Sequence, residues 1–200
     1  MKSLGKDLVY EPIDSEEKIF LATEIEMIIF PDSCGYNSYY YANKIGNPYF
    51  FVKHNDDIIG ITGIYENPLL NEPDTAWLGW YGLMHSNRGK GFGKQILLDT
   101  INEAKCRGYD TFRLYTSKTK CKTACKLYDK VMDIGEDYTR EQPEMKRVVY
   151  SKSLTNEKVV PWGGRDLYLR KDEESEKKAL MRYIEIGKKI KKELQDKNIL

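Results

Sequence analysis

The sequence predicts an α+β domain (an α/β sandwich) in which helices flank one mixed, mostly antiparallel sheet, with a helical extension at the C-terminal end. Two observations favour this class. Short apolar and aromatic runs, bounded by Gly, Pro, Asn or Asp, indicate strands. Longer segments between them carry apolar residues at helical spacing. Because the chain has 200 residues, it can form one domain with its own core and an appendage.

The N-terminal part of the chain predicts a strand followed by a helix. Leu8–Ile13 has the character of a short strand. Asp14 is a suitable N-cap, and acids follow it in the first turn, where the helix dipole favours them. Pro31 should end this helix. A second short helix is expected around Ser38–Ile45, within a tyrosine-rich segment.

Two strands joined by a tight turn follow, at Tyr49–Lys53 and Ile58–Tyr65, with His54–Asp57 as the turn. Thr75–Met84 is apolar and aromatic and predicts a buried strand. The segment Asn87–Gly93 has glycine at every second position from Gly89. A helix is expected from Phe92 to the region of Gly108.

The remaining elements alternate in the same way. A strand is predicted at Thr111–Thr116, a helix at Lys122–Val131, and an antiparallel pair at Ile134–Thr139 and Lys146–Leu154. Leu167–Leu169 suits a short strand. Asp172–Asp196 predicts an amphipathic helix, with Leu180, Ile184, Ile190 and Leu194 at near-helical spacing.

The order strand, glycine-rich turn, helix suits the binding of an anion. The first N–H groups of a helix have no intrahelical partner, and they carry the positive end of its dipole. A turn with little side-chain bulk lets a phosphate or pyrophosphate approach them. The spacing differs from the P-loop, since no Gly-Lys-Ser/Thr follows, and from the dinucleotide fingerprint GxGxxG.

Arg88, Gly91 and Gly93 match a (Gln/Arg)-x-x-Gly-x-(Gly/Ala) signature, and a distant Ala124-Cys-Lys-Leu-Tyr128 matches an A-x-x-L-Y segment. On these residues the chain resembles the GNAT acetyltransferases over about residues 8–154. The resemblance implies the GNAT fold, acetyl-CoA as co-substrate, a GNAT domain over 1–154 and an extension over 155–200.

The resemblance also implies which residues bind acetyl-CoA. Backbone N–H groups of one strand would contact the thioester and the pantetheine arm, and the glycine turn would hold the pyrophosphate. Cys121 stands where many members carry an Asn that contacts the cofactor. The implied set is Tyr81, Gly82, Leu83, Arg88, Gly89, Lys90, Gly91, Phe92, Gly93 and Cys121.

The resemblance assigns Tyr128 as the general acid that protonates the CoA thiolate, because a phenol with a pKa of about 10 matches that thiolate. Thr116 and Trp77 stand where some members carry a base, so Glu66 and Asp74 remain as base candidates, acting through water. Tyr40 and Trp80 could line an aromatic acceptor pocket. Ordinary packing or solvation is the alternative for each.

These features favour an acetyl-CoA-dependent N-acetyltransferase (EC 2.3.1) that acts on a primary amine of a small molecule or peptide by direct attack in a ternary complex. Two other functions stay open. One is a non-catalytic acyl-CoA-binding module, and the other is a scaffold whose C-terminal helix mediates assembly.

The charge, hydropathy and cysteine content of the chain limit the functions that are open to it. A net charge of +1, with many charges of both signs, disfavours dedicated nucleic-acid binding. No apolar run reaches membrane-spanning length, and no signal peptide is apparent. The four cysteines form no CxxC pair and there are two histidines, so no metal site is expected. We therefore expect a reduced cytoplasmic protein, with a homodimer possible through the C-terminal helix.

Overall fold

The computed structural model describes residues 1–5, 7–31, 48–66, 72–138, 146–164 and 174–199, with side chains in the last range from residue 185 onward. The predicted helix at Ser38–Ile45, with Tyr40, and the predicted strand at Leu167–Leu169 lie outside the described residues.

The described residues form seven strands and four helices. In chain order they are β1 (Val9–Pro12), α1 (Glu16–Ile29), β2 (Tyr49–His54), β3 (Asp57–Tyr65), β4 (Thr75–Leu83), α2 (Phe92–Cys106), β5 (Thr111–Ser117), α3 (Lys122–Val131), β6 (Ile134–Tyr138), β7 (Arg147–Ser153) and α4 (Glu174–Asp196). The strands form one mixed sheet in the order β1-β2-β3-β4-β5-β7-β6, in which β4 and β5 are parallel. The predicted α+β class is confirmed.

The first helix begins one residue later than the sequence predicted. Ser15, not Asp14, is the N-cap, because its hydroxyl accepts a hydrogen bond from the Lys18 backbone N–H at 3.3 Å. The Asp14 carboxylate instead pairs with the Lys18 ammonium at 2.8 Å. The helix ends at Ile29, just before Pro31, as predicted.

The hairpin between β2 and β3 turns on two residues in the left-handed region, Asn55 (φ 50°) and Asp56 (φ 67°). Two such residues give a turn whose twist matches that of the strands it joins, and Asn and Asp tolerate this region better than most residues. The register shifts between Val52 and Lys53, which marks a bulge.

The first of two compact units comprises Met1–Tyr65, Gly79–Thr100 and Arg170–Leu200. Its main core packs α1 against β2 and β3 through Ile13, Ile19, Ala22, Ile25, Ile29, Tyr49, Phe51 and Ile61. Ile186 of α4 packs on this cluster, and Leu194 is 2% exposed. The C-terminal helix therefore rests on the chain's own α1.

The second unit comprises Glu66–Leu78 and Ile101–Leu169. Arg113 of β5 is buried at 1% exposure. Its guanidinium donates to the Ser151 hydroxyl at 2.6 Å and pairs with Glu72 at 3.4 Å. Because a buried charge needs partners, the ion pair between Arg113 and Glu72 holds the segment just before β4 against β5.

Candidate active site

The predicted glycine turn forms as expected between β4 and α2. Gly89 (φ 76°) and Gly91 (φ 86°) are both left-handed, a conformation that glycine adopts without a Cβ penalty. The Gly91 carbonyl accepts from the Gln95 N–H at 3.4 Å, so Gly91 opens the helix. Helix geometry then leaves the N–H groups of Phe92, Gly93 and Lys94 without intrahelical acceptors.

The turn has room for a bulky anion. A Cβ placed on Gly89 or Gly91 would meet no heavy atom within 4 Å. The side chains of Lys90 and Lys94 are exposed. A phosphate could therefore approach the helix N-terminus without displacing described side chains, and the residues present fit the pyrophosphate of acetyl-CoA.

Arg88 does something that the signature alone did not indicate. Its Nε donates to the Leu83 carbonyl at 3.0 Å, and its Nη2 donates to the Ile29 carbonyl at 3.4 Å. Ile29 is the last residue of α1, where carbonyl groups lack intrahelical donors. Arg88 thus joins the end of α1, the end of β4 and the turn.

Tyr81 fixes the other side of the turn. Its hydroxyl donates to the Gly93 carbonyl at 2.6 Å, and burial raises the pKa of this phenol, so it stays a neutral donor. A Cβ on Gly93 would lie 3.1 Å from the Tyr81 oxygen. A small residue is therefore needed at position 93 for this hydrogen bond to form.

The backbone of β4 separates the three predicted donors into two groups. The Met84 N–H donates to the Ile59 carbonyl of β3 at 2.8 Å. Because peptide groups alternate sides along a strand, Gly82 also faces β3, whereas Tyr81 and Leu83 face the other edge. Strand β4 pairs with β5 over Thr75–Trp77, so Tyr81 and Leu83 lie beyond the paired residues.

The two other glycines of β4 allow close packing. A Cβ on Gly82 would come within 3.0 Å of Ile29 and Phe30 side-chain atoms, and one on Gly79 would strike the Tyr49 ring. Side chains at these positions would push α1 and β2 away from β4. The absence of a side chain at Gly82 therefore lets α1 pack closely on β4, in addition to any contact that Gly82 makes with the pantetheine arm.

Tyr128 lies on α3 and is 5% exposed. Its ring packs against Tyr150 of β7, with centroids 5.5 Å apart and planes at 56°. The Tyr150 hydroxyl donates to Asp129 at 2.6 Å, and burial, then this bond, raise the Tyr150 pKa. Tyr150 is thus a fixed neutral neighbour that orients the Tyr128 ring.

Cys121 is a half-buried free thiol at the N-cap of α3, but its side chain makes no capping hydrogen bond. The hydrogen bonds of Cys121 come from its backbone. Its N–H donates to the Ser117 carbonyl, and its carbonyl accepts from the Cys125 N–H, both at 2.9 Å. Burial raises the pKa of Cys125 one turn later, which keeps that thiol neutral.

The two base candidates, Glu66 and Asp74, both lie beside the segment that leads into β5. The Glu66 carboxylate accepts from the Tyr109 hydroxyl at 2.6 Å. Burial and this bond raise the pKa of Tyr109 to about 12. The exposed Asp74 precedes the first residue of β4, and its carbonyl accepts from Asp110 and Thr111 N–H groups.

The predicted acceptor pocket is described only in part. Trp80 is half-buried, with its ring 5.4 Å from that of Phe30 at the end of α1. Tyr40 lies outside the described residues, so the pairing of the two aromatic side chains stays a prediction.

Sequence reasoning missed the anchor of α2. Asp99 is fully buried and accepts hydrogen bonds from Tyr10 (2.5 Å), Gln95 (2.7 Å), the Leu4 N–H (2.8 Å) and Ser3 (3.0 Å). The one feature of the sequence that could have indicated this role is that Asp99 is an acid on the apolar side of a predicted helix. Such an acid requires partners that the local sequence does not reveal.

Among the described residues, no group of three or more His, Cys, Asp or Glu side chains is arranged to hold a metal ion. Within the same residues, every helix is too short or too polar to cross a membrane.

Solved structures share this fold. An acetyltransferase from Bacillus subtilis in complex with CoA is 18% identical, with a TM-score of 0.54 over 74% of this chain and 99% of its own. A GNAT family acetyltransferase from Elizabethkingia anophelis with acetyl-CoA bound is 16% identical, with a TM-score of 0.57 over 74% and 99%. The ribosomal-protein-S18-alanine N-acetyltransferase from Escherichia coli is 16% identical, with a TM-score of 0.58 over 81% and 99%.

No curated protein sequence matches the chain. The sequence profile of the acetyltransferase (GNAT) family matches residues 18–133, which is more than half of the chain and contains the glycine turn and Tyr128. The predicted resemblance is confirmed, and the chain belongs to the acetyltransferase (GNAT) family.

Proposed function

We propose that this protein is an acetyl-CoA-dependent N-acetyltransferase that acetylates a primary amine of a small molecule or peptide by direct attack in a ternary complex. The observation that carries the proposal is the turn at 88–93. It combines two left-handed glycines, open space at their Cβ positions and the N-terminus of a long helix. Membership of the GNAT family and the CoA-bound structures of similar fold support acetyl-CoA as the ligand.

In this proposal the backbone carries most of the cofactor binding. N–H groups at Gly89–Gly93 receive the pyrophosphate, and Lys90 and Lys94 add positive charge. Tyr81 and Leu83 offer peptide groups to the pantetheine arm from the edge of β4 away from β3. Cys121 would contribute a weaker contact than Asn, because a thiol is a poor hydrogen-bonding group.

The chemistry requires two proton movements. The amine nitrogen forms a bond to the acetyl carbon as the carbon–sulfur bond breaks. A base takes the proton that the amine loses, with Glu66 or Asp74 acting through water as the candidates. Tyr128 donates its phenolic proton to the departing thiolate, which gives CoA and the acetamide, and the phenolate recovers a proton from solvent.

The E. coli structure of similar fold is named as an alanine N-acetyltransferase of a ribosomal protein, which brings peptide amines into consideration here. Small-molecule amines stay equally open. The acceptor is identified by incubating the protein with acetyl-CoA and an amine library, with CoA release followed by a thiol reagent. We expect release that depends on one class of amine.

The same preparation separates the alternatives. Calorimetric binding of acetyl-CoA without CoA release for any amine would indicate an acyl-CoA-binding module. If the protein neither binds acetyl-CoA nor releases CoA with any amine, the assembly role is the function that remains. For α4 we propose that it stabilises the first unit, and sedimentation of the full chain tests the possible homodimer.

A further inference from the structure

The Asp99 carboxylate joins the first two turns of α2 to the N-terminal end of the chain. Its Oδ1 accepts from the Leu4 N–H at 2.8 Å and from the Gln95 side-chain amide at 2.7 Å. Its Oδ2 accepts from the Tyr10 hydroxyl at 2.5 Å and from the Ser3 hydroxyl at 3.0 Å. Two donors on each oxygen fill the lone-pair positions of a carboxylate. We call these five residues the Asp99 cluster.

The composition of the Asp99 cluster indicates a role in specifying one arrangement rather than in stability alone. Asp99 is 0% exposed, and none of its four donor groups carries a charge. A carboxylate removed from water without a cation is costly, so an apolar side chain at this position would contribute about as much to folding. Burial, and then the bond to Asp99, raise the pKa of Tyr10, which keeps that phenol a neutral donor. The hydrogen bonds of Asp99 supply what apolar packing lacks, a fixed direction.

Gln95 connects the Asp99 cluster to the glycine turn. Its backbone N–H donates to the Gly91 carbonyl at 3.4 Å, and its side chain donates to Asp99. A Cβ placed on Gly5 would lie 2.3 Å from the Gln95 side-chain oxygen, so the chain at Gly5 lies directly against this side chain. The N-terminal end of the chain therefore contacts the first turn of α2, whose N–H groups lack intrahelical acceptors.

The other contacts that the first turns of α2 make on this side are apolar. Ile96 belongs to the same buried cluster as Tyr10, and Phe92 packs against that cluster. Apolar packing is not directional, so by itself it does not oppose small rotations and shifts of a helix. The hydroxyl of Tyr81 fixes the first turn by donating to the Gly93 carbonyl at 2.6 Å. The Asp99 cluster fixes the second turn, so together they set the direction of the N–H groups at the start of α2.

We propose that Asp99 and its donors Ser3 and Tyr10 are positioning residues for acetyl-CoA, which hold the first turns of α2 so that their N–H groups meet the pyrophosphate. This inference rests on the proposed function, which assigns the pyrophosphate to the turn at 88–93. Donors that are already ordered bind more tightly than donors that must first be ordered, because the ordering cost is subtracted from the binding free energy. The affinity for acetyl-CoA therefore depends on residues that are distant from the glycine turn in sequence.

The test uses three acetyl donors that differ in their phosphates. Acetyl-CoA has the pyrophosphate and a 3′-phosphate, 3′-dephospho-acetyl-CoA keeps the pyrophosphate, and acetyl-pantetheine has no phosphate. Calorimetry measures each dissociation constant, with acetyl-CoA displacing the weaker ligand, so the test needs no acceptor amine. Tyr10→Phe keeps the ring and removes one donor from Asp99. We expect it to weaken binding of the two pyrophosphate ligands about 3-fold to 30-fold, and binding of acetyl-pantetheine less than about 2-fold.

Two further variants separate positioning from charge. Ser3→Ala removes another donor and should act in the same direction as Tyr10→Phe, by a smaller factor. Asp99 lies about 10 Å along the helix from its first residue, at 1.5 Å per residue. Its negative charge by itself disfavours an anion at the helix N-terminus, so Asp99→Asn would tighten acetyl-CoA binding if charge were its only role. We expect Asp99→Asn to weaken acetyl-CoA binding instead, and by more than Tyr10→Phe does.

Thr23→Val is the matched control. It removes a buried hydroxyl of the same unit, one that donates to the Ile19 carbonyl within α1, and it should keep the wild-type affinity for every ligand. Equal losses for acetyl-CoA and acetyl-pantetheine in Tyr10→Phe would indicate a general loss of structure and would overturn the inference. Wild-type affinities in Tyr10→Phe, or tighter acetyl-CoA binding in Asp99→Asn, would overturn it as well.

Two outcomes with the other ligands complete the test. A loss in Tyr10→Phe that appears with acetyl-CoA and not with 3′-dephospho-acetyl-CoA would assign the effect to the 3′-phosphate and refute the positioning of the pyrophosphate. Wild-type protein that binds acetyl-CoA no more tightly than acetyl-pantetheine would instead refute the pyrophosphate site at 88–93, and with it the observation that carries the proposed function.

Discussion

The turn at 88–93 and the surroundings of Tyr128 are built by opposite means. Residues 88–91 of the turn are exposed, the Cβ positions of Gly89 and Gly91 face open space, and the turn offers backbone groups. Tyr128 is buried, and the Tyr150 ring orients it. Because the turn presents peptide groups, substitutions there should change cofactor binding. Because Tyr128 presents one hydroxyl, its loss should change turnover and leave binding intact.

Tyr128→Phe should give the largest effect. The change keeps the ring that packs on Tyr150 and removes the hydroxyl alone. As a lost general acid, it should lower kcat by about 10²–10⁴-fold, with the KM for acetyl-CoA nearly unchanged. Steady-state kinetics at saturating amine measure both constants.

Tyr150→Phe is the matched control for that variant. It removes a second buried phenol in contact with the same ring, but this hydroxyl is engaged with Asp129. We expect kcat within about 3-fold of wild type, since no proton transfer is assigned to it. Comparable losses in both variants would mean that Tyr128 acts through packing.

The fold could be predicted because its signals are local. Helical and strand spacing gave α3 at the predicted bounds and the other described elements within a few residues. The N-cap at Ser15 was missed because Asp14 and Ser15 are adjacent and both are good capping residues. In the structure Ser15 caps the helix, and Asp14 pairs with Lys18.

The candidate site divides in the same way. The left-handed Gly91 could be predicted, since the sequence has a glycine-rich segment directly before a helical pattern. The bonds of Arg88 to α1 and β4, and of Asp99 to Tyr10, could not be predicted. They join residues that are distant in sequence, and no local spacing specifies them.

Leu194→Ala tests whether the turn depends on the stability of its own unit. The Leu194 side chain is 2% exposed on α4, so truncation should lower the free energy of unfolding by about 2–5 kcal/mol. Leu21→Ala, at a leucine that is 40% exposed on α1, should cost much less. Denaturant titration measures both. Acetyl-CoA affinity of the folded protein should stay at the wild-type value, and a parallel loss would show that α4 shapes the turn.

Gly91→Asp tests the backbone site directly, with Gly108→Asp as its match. Both glycines are left-handed, at φ 86° and 89°, and a Cβ at either would meet no heavy atom within 4 Å. Backbone strain and added charge are therefore alike. Like-charge repulsion of the pyrophosphate should weaken acetyl-CoA binding about 10-fold or more in Gly91→Asp alone. Calorimetry that finds equal affinities in the two variants would place the pyrophosphate elsewhere.

Arg88→Ala should have the smallest effect, because the Arg88 guanidinium donates to the backbone carbonyls of Leu83 and Ile29. Losing them at an exposed site should lower stability by about 1 kcal/mol and acetyl-CoA affinity by only a few-fold. Arg88→Lys distinguishes positioning from charge, since an ammonium keeps the charge but cannot span both carbonyls in the guanidinium geometry. If Arg88 positions the turn, Lys restores neither stability nor affinity. Full recovery of affinity by Lys, with a steep dependence on salt, would mean that Arg88 contacts the phosphates directly.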